Sequence, residues 1–144
     1  MKRTQVTDPA VVERVTGLLG GRPSFAGIDA ARIARLVRHG AQVDLDPGET
    51  LIREAEPGAA ELYLLIEGKL LVQSKDVFIA RLERPGDLIG ETAVLLSSQR
   101  TADVVAETPV RVLAIAAAVI ALPEFTEIAA GFRAGMLRDD WVQY

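Results

Sequence analysis

The sequence predicts a mostly β domain with flanking helices, built as an antiparallel β-sandwich or jelly-roll barrel. From about residue 41 to residue 115, short apolar runs alternate with turn signals at roughly even spacing, which is typical of such folds. Both flanks instead carry apolar residues at helical spacing. The 144 residues fit one domain. We divide it into N-terminal helices (1–40), a β-roll (41–115), and a C-terminal helix and tail (116–144).

Two helices are predicted ahead of the β-roll. The first begins with Asp8 as N-cap and Pro9 at the first helical position, and Gly20 stops it. Its apolar residues are Val11, Val12, Val15, Leu18 and Leu19. The second begins at the cap Asp29 and ends at His39-Gly40. Its apolar face is Ile33, Leu36 and Val37.

The β-roll is predicted from six short apolar runs separated by Gly, Pro and Asp turns. The runs are Thr50–Ile52, Leu62–Ile66, Lys69–Gln73, Val77–Leu82, Thr101–Ala106 and Val110–Ile115. The interval from Leu88 to Arg100 is too long for a turn. It carries the apolar residues 93–96, so we expect a short helix set into the barrel.

The C-terminal flank predicts one more helix, which starts at Pro123-Glu124. Its apolar face is Phe125, Ile128, Ala129, Phe132 and Met136, and we expect this face to serve core or dimer packing. Gly131 and Gly135 lie one turn apart. Glycines so spaced permit close packing, either on the barrel or on a second subunit.

Composition restricts the functional classes. Hydrophobic residues make up 49% and charged residues 25% of the chain, enough for a core and a soluble surface. No run of about 18 apolar residues occurs, which argues against a membrane span. Residues 1–9 lack the apolar core of a signal peptide, so we expect a cytoplasmic protein. The net charge of -4 argues against direct nucleic-acid binding.

The sequence lacks the residues of common catalytic sites. It has no cysteine and one histidine, His39, which excludes thiolate zinc and a histidine-rich metal site. A cupin-type metalloenzyme is disfavoured for the same reason. There is no nucleophile elbow, Walker loop or GxGxxG pattern. We therefore expect a protein that is not an enzyme and that holds no metal.

The most informative segment is residues 85–102. Gly90 and Glu91 stand at the start of the predicted short helix, where free N–H groups attract an anion. Arg100 follows the helix and can hold phosphate oxygens with two parallel hydrogen bonds. A carboxylate repels phosphate, so Glu91 suits a sugar hydroxyl instead. An arginine suited to phosphate and a carboxylate suited to a sugar hydroxyl together indicate a nucleotide-binding site.

The same segment resembles the phosphate-binding cassette of the cyclic-nucleotide-binding domain family. The resemblance rests on Gly90-Glu91-Thr92-Ala93, a short helix, and Arg100-Thr101-Ala102. Further matching motifs are Asp46–Ile52, Glu56–Gly58, Leu62–Gly68, Arg84–Asp87 and Val110–Ile115. The family includes regulatory subunits of protein kinase A, cyclic-nucleotide-gated channels and catabolite activator proteins.

The resemblance implies a ligand site for cAMP or cGMP. Its residues would be Gly90, Glu91, Thr92, Ala93, Arg100, Thr101 and Ala102. Arg100 would pair with the cyclic phosphate from a surface cleft, and Glu91 would accept from the ribose 2′-hydroxyl. The backbone of Gly90 and the two residues after Glu91 would line the ring. Threonine at position 101 is associated in this family with tolerance of cGMP, because its hydroxyl reaches the guanine amino group of a syn base.

Some positions depart from the family pattern. Ile89 replaces the usual phenylalanine, and the hairpin turn Ser74-Lys75-Asp76 is short. Trp141 or Tyr144 would cap the base by stacking, as aromatic residues do in some members. An alternative without a ligand is that Glu91 and Arg100 form only a structural ion pair.

Three functions remain open from the sequence. The first is a cyclic-nucleotide sensor that acts through a partner protein or its own dimer. The second is a ligand-free scaffold of the same fold. The third is the sensor part of a helix-turn-helix transcription regulator, although the roughly 29 residues after Ile115 are too few for both a dimer helix and a DNA-binding domain.

Overall fold

The protein consists of two facing antiparallel sheets and a helical layer. The structure, a computed structural model, describes residues 1–54, 61–90, 100 and 102–136. In chain order the strands are β1 (Lys2–Gln5), β2 (Ala41–Leu45), β3 (Thr50–Ile52), β4 (Glu61–Glu67), β5 (Leu70–Ser74), β6 (Val77–Leu82), β7 (Leu88–Ile89), β8 (Asp103–Ala106) and β9 (Val110–Ala116). The first sheet has the order β1-β2-β9-β4-β7, and the second has β3-β8-β5-β6. The described strands therefore form a sandwich rather than a closed barrel.

Three of the described helices lie close to predicted residues, whereas the sequence did not predict the short helix Ala117–Ile120. The helices are α1 (Pro9–Gly20), α2 (Ala30–His39), α3 (Ala117–Ile120) and α4 (Thr126–Met136), with 3-10 turns at Pro23–Phe25 and Pro123–Phe125. The Asp8 carboxylate accepts a hydrogen bond from the Ala10 N–H at 2.9 Å. The Asp29 carboxylate accepts from the Arg32 N–H at 2.8 Å. Both predicted N-caps are confirmed, because each satisfies a helix N–H that has no partner within the helix.

The first sheet is covered on both faces. Alternate residues of its central strands pack against the helices in one core, among them Leu62, Leu64, Leu113 and Ile115. The intervening residues pack against the second sheet in the other core, among them Tyr63, Leu65, Val112 and Ala114. This is why β4 is a nearly continuous apolar run rather than an alternating one.

The sequence missed three strands, β1, β2 and β7, and β2 pairs with the distant β9. The residues of β1 are polar and exposed, so no apolar pattern marks them, yet Lys2 to Gln5 pair in register with Asp44 to Ala41 of β2. The strand β7 is only two residues long, and it is held by pairing with Tyr63 and Leu64 of β4. In each case the ladder partner is distant in sequence. The predicted helix at 93–96 lies outside the described residues.

The helix α4 packs on the N-terminal half of the chain. Phe125, Ile128, Ala129 and Phe132 are buried, so the prediction that this face serves core packing is confirmed for these four residues. The Phe132 ring meets the Phe25 ring edge to face at 5.4 Å between centroids. A Cβ at Gly131 would lie 2.3 Å from the Ser24 carbonyl oxygen. Gly131 therefore lets α4 lie close to the backbone of the 3-10 turn Pro23–Phe25.

We expect Gly131→Ala to destabilise the fold by about 1–3 kcal/mol, because the added methyl group meets a backbone atom that cannot move independently. Gly17→Ala is the matched control. A Cβ at this helical position meets nothing within 4 Å. It should be neutral or stabilise by about 0.5–1 kcal/mol. Urea unfolding of both variants tests this, and equal effects would contradict the packing described here.

Candidate functional site

The site begins where β7 ends. Ile89 pairs with Tyr63 of β4, and Gly90 follows at once with φ of +80°. The Arg100 guanidinium returns to this point and donates from Nη1 to the Gly90 carbonyl oxygen at 2.8 Å. Two residues that the sequence assigned to one site, ten positions apart, therefore lie in direct contact.

The Arg100 side chain is buried, with 5% of its surface exposed. Its Nη2 donates to the Glu61 carbonyl oxygen at the start of β4. Its Cζ lies 6.0 Å from the centroid of the Tyr63 ring, which is the range of a cation–π contact. The expectation of an arginine in a surface cleft is thus wrong, because two backbone carbonyls hold the guanidinium against the sheet.

Glycine is required at position 90 for two reasons. Its positive φ is one that residues with a Cβ adopt only at a cost. In addition, a Cβ would lie 2.2 Å from Arg100 Nη1 and 3.3 Å from Ile52 Cδ1. The sequence argued for glycine from the approach of a ligand, whereas the structure shows that the chain's own guanidinium already requires it.

Glu61 connects this site to β1. Its carboxylate receives two parallel hydrogen bonds from the Arg3 guanidinium, at 2.8 and 2.7 Å. The hydrogen bond with Glu61 raises the pKa of Arg3 above its ordinary value. Because the carbonyl of the same residue accepts from Arg100, the start of β4 is held from both sides. The sequence gave no signal for this, since Arg3 and Glu61 are 58 residues apart.

The turn before β7 is also fixed. Asp87 is 7% exposed, and its carboxylate lies 3.6 Å from Arg22 Nη1 and 4.0 Å from Arg84 Nε. Its carbonyl accepts from the Leu65 N–H at 2.9 Å. The motif Arg84–Asp87 was found in the sequence, but the contribution of Arg22, from the linker after α1, was not. These contacts set the direction in which the chain enters β7.

A profile of the cyclic nucleotide-binding domain matches residues 42–121. This range runs from the second residue of β2 through β9, and it includes both Gly90 and Arg100. The chain belongs to the cyclic nucleotide-binding domain family.

The chain is similar to several known proteins. A cGMP-dependent protein kinase of Eimeria tenella is 40% identical over 63 residues, which are 44% of this chain and 6% of the kinase. The regulatory domain of Toxoplasma gondii protein kinase A, solved with cAMP, superposes with a TM-score of 0.73 at 20% identity, over 81% of this chain and 46% of that one. The N-terminal domain of a Streptomyces coelicolor A3(2) transcriptional regulator superposes at 0.69 and 31% identity, over 84% and 88%.

The chain is therefore much shorter than the two kinase-related proteins. It spans 6% of the Eimeria kinase and less than half of the Toxoplasma chain. At 20% identity the likeness to the Toxoplasma domain shows the fold alone.

The structure describes three of the seven cassette positions predicted from the sequence. Gly90 and Arg100 are in contact, and Ala102 is fully buried in the core between the sheets, together with Ile52 and Ile89. The other four positions, Glu91, Thr92, Ala93 and Thr101, lie outside the described residues. Trp141 and Tyr144, the predicted caps of the base, also lie outside them.

The rest of the described chain offers little other chemistry. No group of three or more His, Asp or Glu in it is arranged to hold a metal ion. No helix there has both the length and the apolar composition to cross a bilayer. His39 lies at the end of α2, with Nε2 4.0 Å from a Glu124 oxygen and its ring edge-on to Phe125. A cavity of about 680 Å³ between α1 and α2 includes neither Gly90 nor Arg100.

We expect Gly90→Ala to displace the Arg100 guanidinium. The matched control is Gly48→Ala, since Gly48 has φ of +89° and a Cβ there would meet nothing within 4 Å. Both variants should lose about 1–2 kcal/mol from the strained backbone. Gly90→Ala should lose a further amount of about 1–3 kcal/mol from the clash. Urea unfolding measures both, and equal losses would show that the guanidinium adapts freely.

Proposed function

We propose that this chain is a cytoplasmic regulatory module that binds a cyclic nucleotide, cAMP or cGMP, without a metal and without catalysing a reaction. The observation that carries the proposal is the buried Arg100 guanidinium beside Gly90, in a chain of the cyclic nucleotide-binding family. The ligand would act by binding the cassette and repositioning the C-terminal helix. This change would bias contact with a partner protein or with a second copy.

The physical support comes from the way in which the Arg100 guanidinium is held. Arg100 donates to two carbonyl oxygens, those of Gly90 and Glu61. A phosphate within reach of the same guanidinium would add a charge-assisted, bidentate contact. The two carbonyls also orient the planar group before any ligand arrives, so little side-chain entropy would be lost on binding.

The remaining roles extend the prediction from the sequence. Glu91 would accept from the ribose 2′-hydroxyl, and the N–H groups of Thr92 and Ala93 would face the phosphate ring. Ala102 would lie beside the base and phosphate. Thr101 would contribute a hydroxyl that reaches a guanine amino group, which favours tolerance of cGMP. The Eimeria relative is named a cGMP-dependent protein kinase, which supports cGMP as one of the two candidate ligands.

A second candidate function has one observation in its favour. The Streptomyces domain, at 31% identity over most of both chains, is described as part of a transcriptional regulator. The present domain would then report the ligand to a DNA-binding unit. A ligand-free scaffold is the third candidate. Calorimetric titration separates it from the other two, since no heat with cAMP or cGMP would favour the scaffold.

We expect Arg100→Lys to reduce cyclic-nucleotide affinity by about tenfold to a hundredfold, because an ammonium cannot make two parallel bonds to phosphate. Arg100→Leu should reduce it further, but it also leaves the carbonyls of Gly90 and Glu61 without their donor. The lysine variant is therefore the cleaner test. Arg38→Lys, at an exposed position of α2, is the control and should bind as the parent does.

The measurement is calorimetric titration of each variant with cAMP and cGMP, together with urea unfolding. A lysine variant that folds and binds as tightly as the parent would show that the phosphate lies elsewhere.

We expect Thr101→Ala to weaken cGMP binding by about fivefold to tenfold, which is the value of one neutral hydrogen bond, and to leave cAMP binding nearly unchanged. The ratio of the two dissociation constants is the relevant quantity, because a general loss of affinity cancels in it. An unchanged ratio would contradict the contact between Thr101 and the guanine amino group.

A further inference from the structure

One side chain of β1 reaches Glu61, the residue whose carbonyl accepts from Arg100. The Arg3 guanidinium makes two parallel hydrogen bonds to the Glu61 carboxylate, at 2.8 and 2.7 Å. β1 is the edge strand of its sheet, and β2 and β9 separate it from β4. The contact therefore ties the sheet edge directly to β4. Residues 2–5 also precede residues 42–121, the range that matches the family profile, so the family pattern does not include this contact.

Glu61 lies at the end of a strand ladder. It is the first residue of β4, and it pairs with Ala116, the last residue of β9. The ends of strands open more readily than their centres, because fewer neighbouring hydrogen bonds hold them. A second attachment at this position therefore limits movement of the Glu61 backbone, and with it movement of the carbonyl that accepts from Arg100 Nη2.

The pair between Arg3 and Glu61 holds one geometry. Two parallel bonds between a guanidinium and a carboxylate fix both distance and orientation, which a single contact does not. The Glu61 side chain is 23% exposed and that of Arg3 is 50% exposed, so water screens the pair only in part. The hydrogen bond with Glu61, and to a lesser extent the Tyr63 phenol, raise the pKa of Arg3. Because Tyr63 also lies beside Arg100, the two guanidinium groups share both neighbours.

We propose that Arg3 is a positioning residue for the nucleotide site, and that it acts through Glu61 on the Arg100 guanidinium. This role rests on the proposed function, and it extends the site to the N-terminal strand. Arg3 holds the Glu61 backbone, the Glu61 carbonyl holds Nη2 of Arg100, and the guanidinium keeps its orientation toward the phosphate. Coupling between two sites is reciprocal, so a bound nucleotide in turn strengthens the attachment of β1 to Glu61.

The first test requires no nucleotide. In NMR spectra, the Nη2 protons of Arg100 should exchange with water about threefold faster or more in Arg3→Gln than in the parent, because the Glu61 carbonyl is held less firmly. Arg100→Lys identifies the Arg100 signals, since its spectrum lacks them. Lys2→Gln is the matched control. It removes the positive charge of an exposed neighbour on the same strand, and it should leave the exchange rate unchanged.

The second test is calorimetric titration with cAMP and cGMP. Arg3→Gln and Glu61→Gln should each weaken nucleotide binding by about threefold to tenfold, the value of one hydrogen bond. The double variant should lose no more than Glu61→Gln alone, because Arg3 acts only through Glu61. Lys2→Gln should bind as the parent does, which separates positioning from the general attraction between a cation and an anionic ligand. Urea unfolding shows that each variant is folded.

Three results would overturn this role for Arg3. The first is an Arg100 exchange rate that Arg3→Gln leaves unchanged. The second is a double variant that loses as much affinity as both single variants combined, since Arg3 would then contact the ligand itself. The third is an equal loss in Arg3→Gln and Lys2→Gln, which would reflect general charge. If the parent binds neither nucleotide, the proposed function fails, and the exchange rates alone decide whether Arg3 positions Arg100.

Discussion

The burial of one guanidinium organises the functional end of this domain. Arg100 is held by the carbonyls of Gly90 and Glu61 and lies near the Tyr63 ring. A cation removed from water needs polar contacts on several sides, so these groups must stay where they are. That constraint explains a glycine at position 90. The same constraint gives a role to the hydrogen bonds from Arg3 to the Glu61 carboxylate. Movement at the start of β4 would displace the Glu61 carbonyl, which accepts from Arg100.

The layered fold makes this arrangement possible. Helices cover one face of the five-stranded sheet, and the second sheet covers the other. The central strands are therefore packed on both faces. Gly90 and Glu61 lie at the ends of two adjacent strands of that sheet, β7 and β4. In the proposed function, this support would orient the Arg100 guanidinium before the phosphate arrives. The second sheet, by contrast, leaves its outer face and the edge of β6 to solvent.

The helical layer connects the two ends of the chain. The 3-10 turn Pro23–Phe25 lies against α4 through Gly131 and Phe132, and the preceding Arg22 contacts Asp87 at the turn before β7. The C-terminal helix and the turn that leads to Gly90 are thus attached to one short segment. A conformational change at Gly90 and Arg100 that displaced this segment would be transmitted to α4 through direct packing contacts, without a long-range electrostatic effect.

Local patterns in the sequence determined the caps Asp8 and Asp29, most strand positions, the buried face of α4 and the pairing of Gly90 with Arg100 as parts of one site. Each of these depends on residues close together in the chain or on a motif. Only the tertiary structure decided the polar strand β1, the paired hydrogen bonds from Arg3 to Glu61, the contact between Arg22 and Asp87, and the burial of Arg100. Each of these features depends on partners tens of residues apart. Strand pairing and ion pairs between such distant residues leave no periodic pattern, so the sequence does not reveal them.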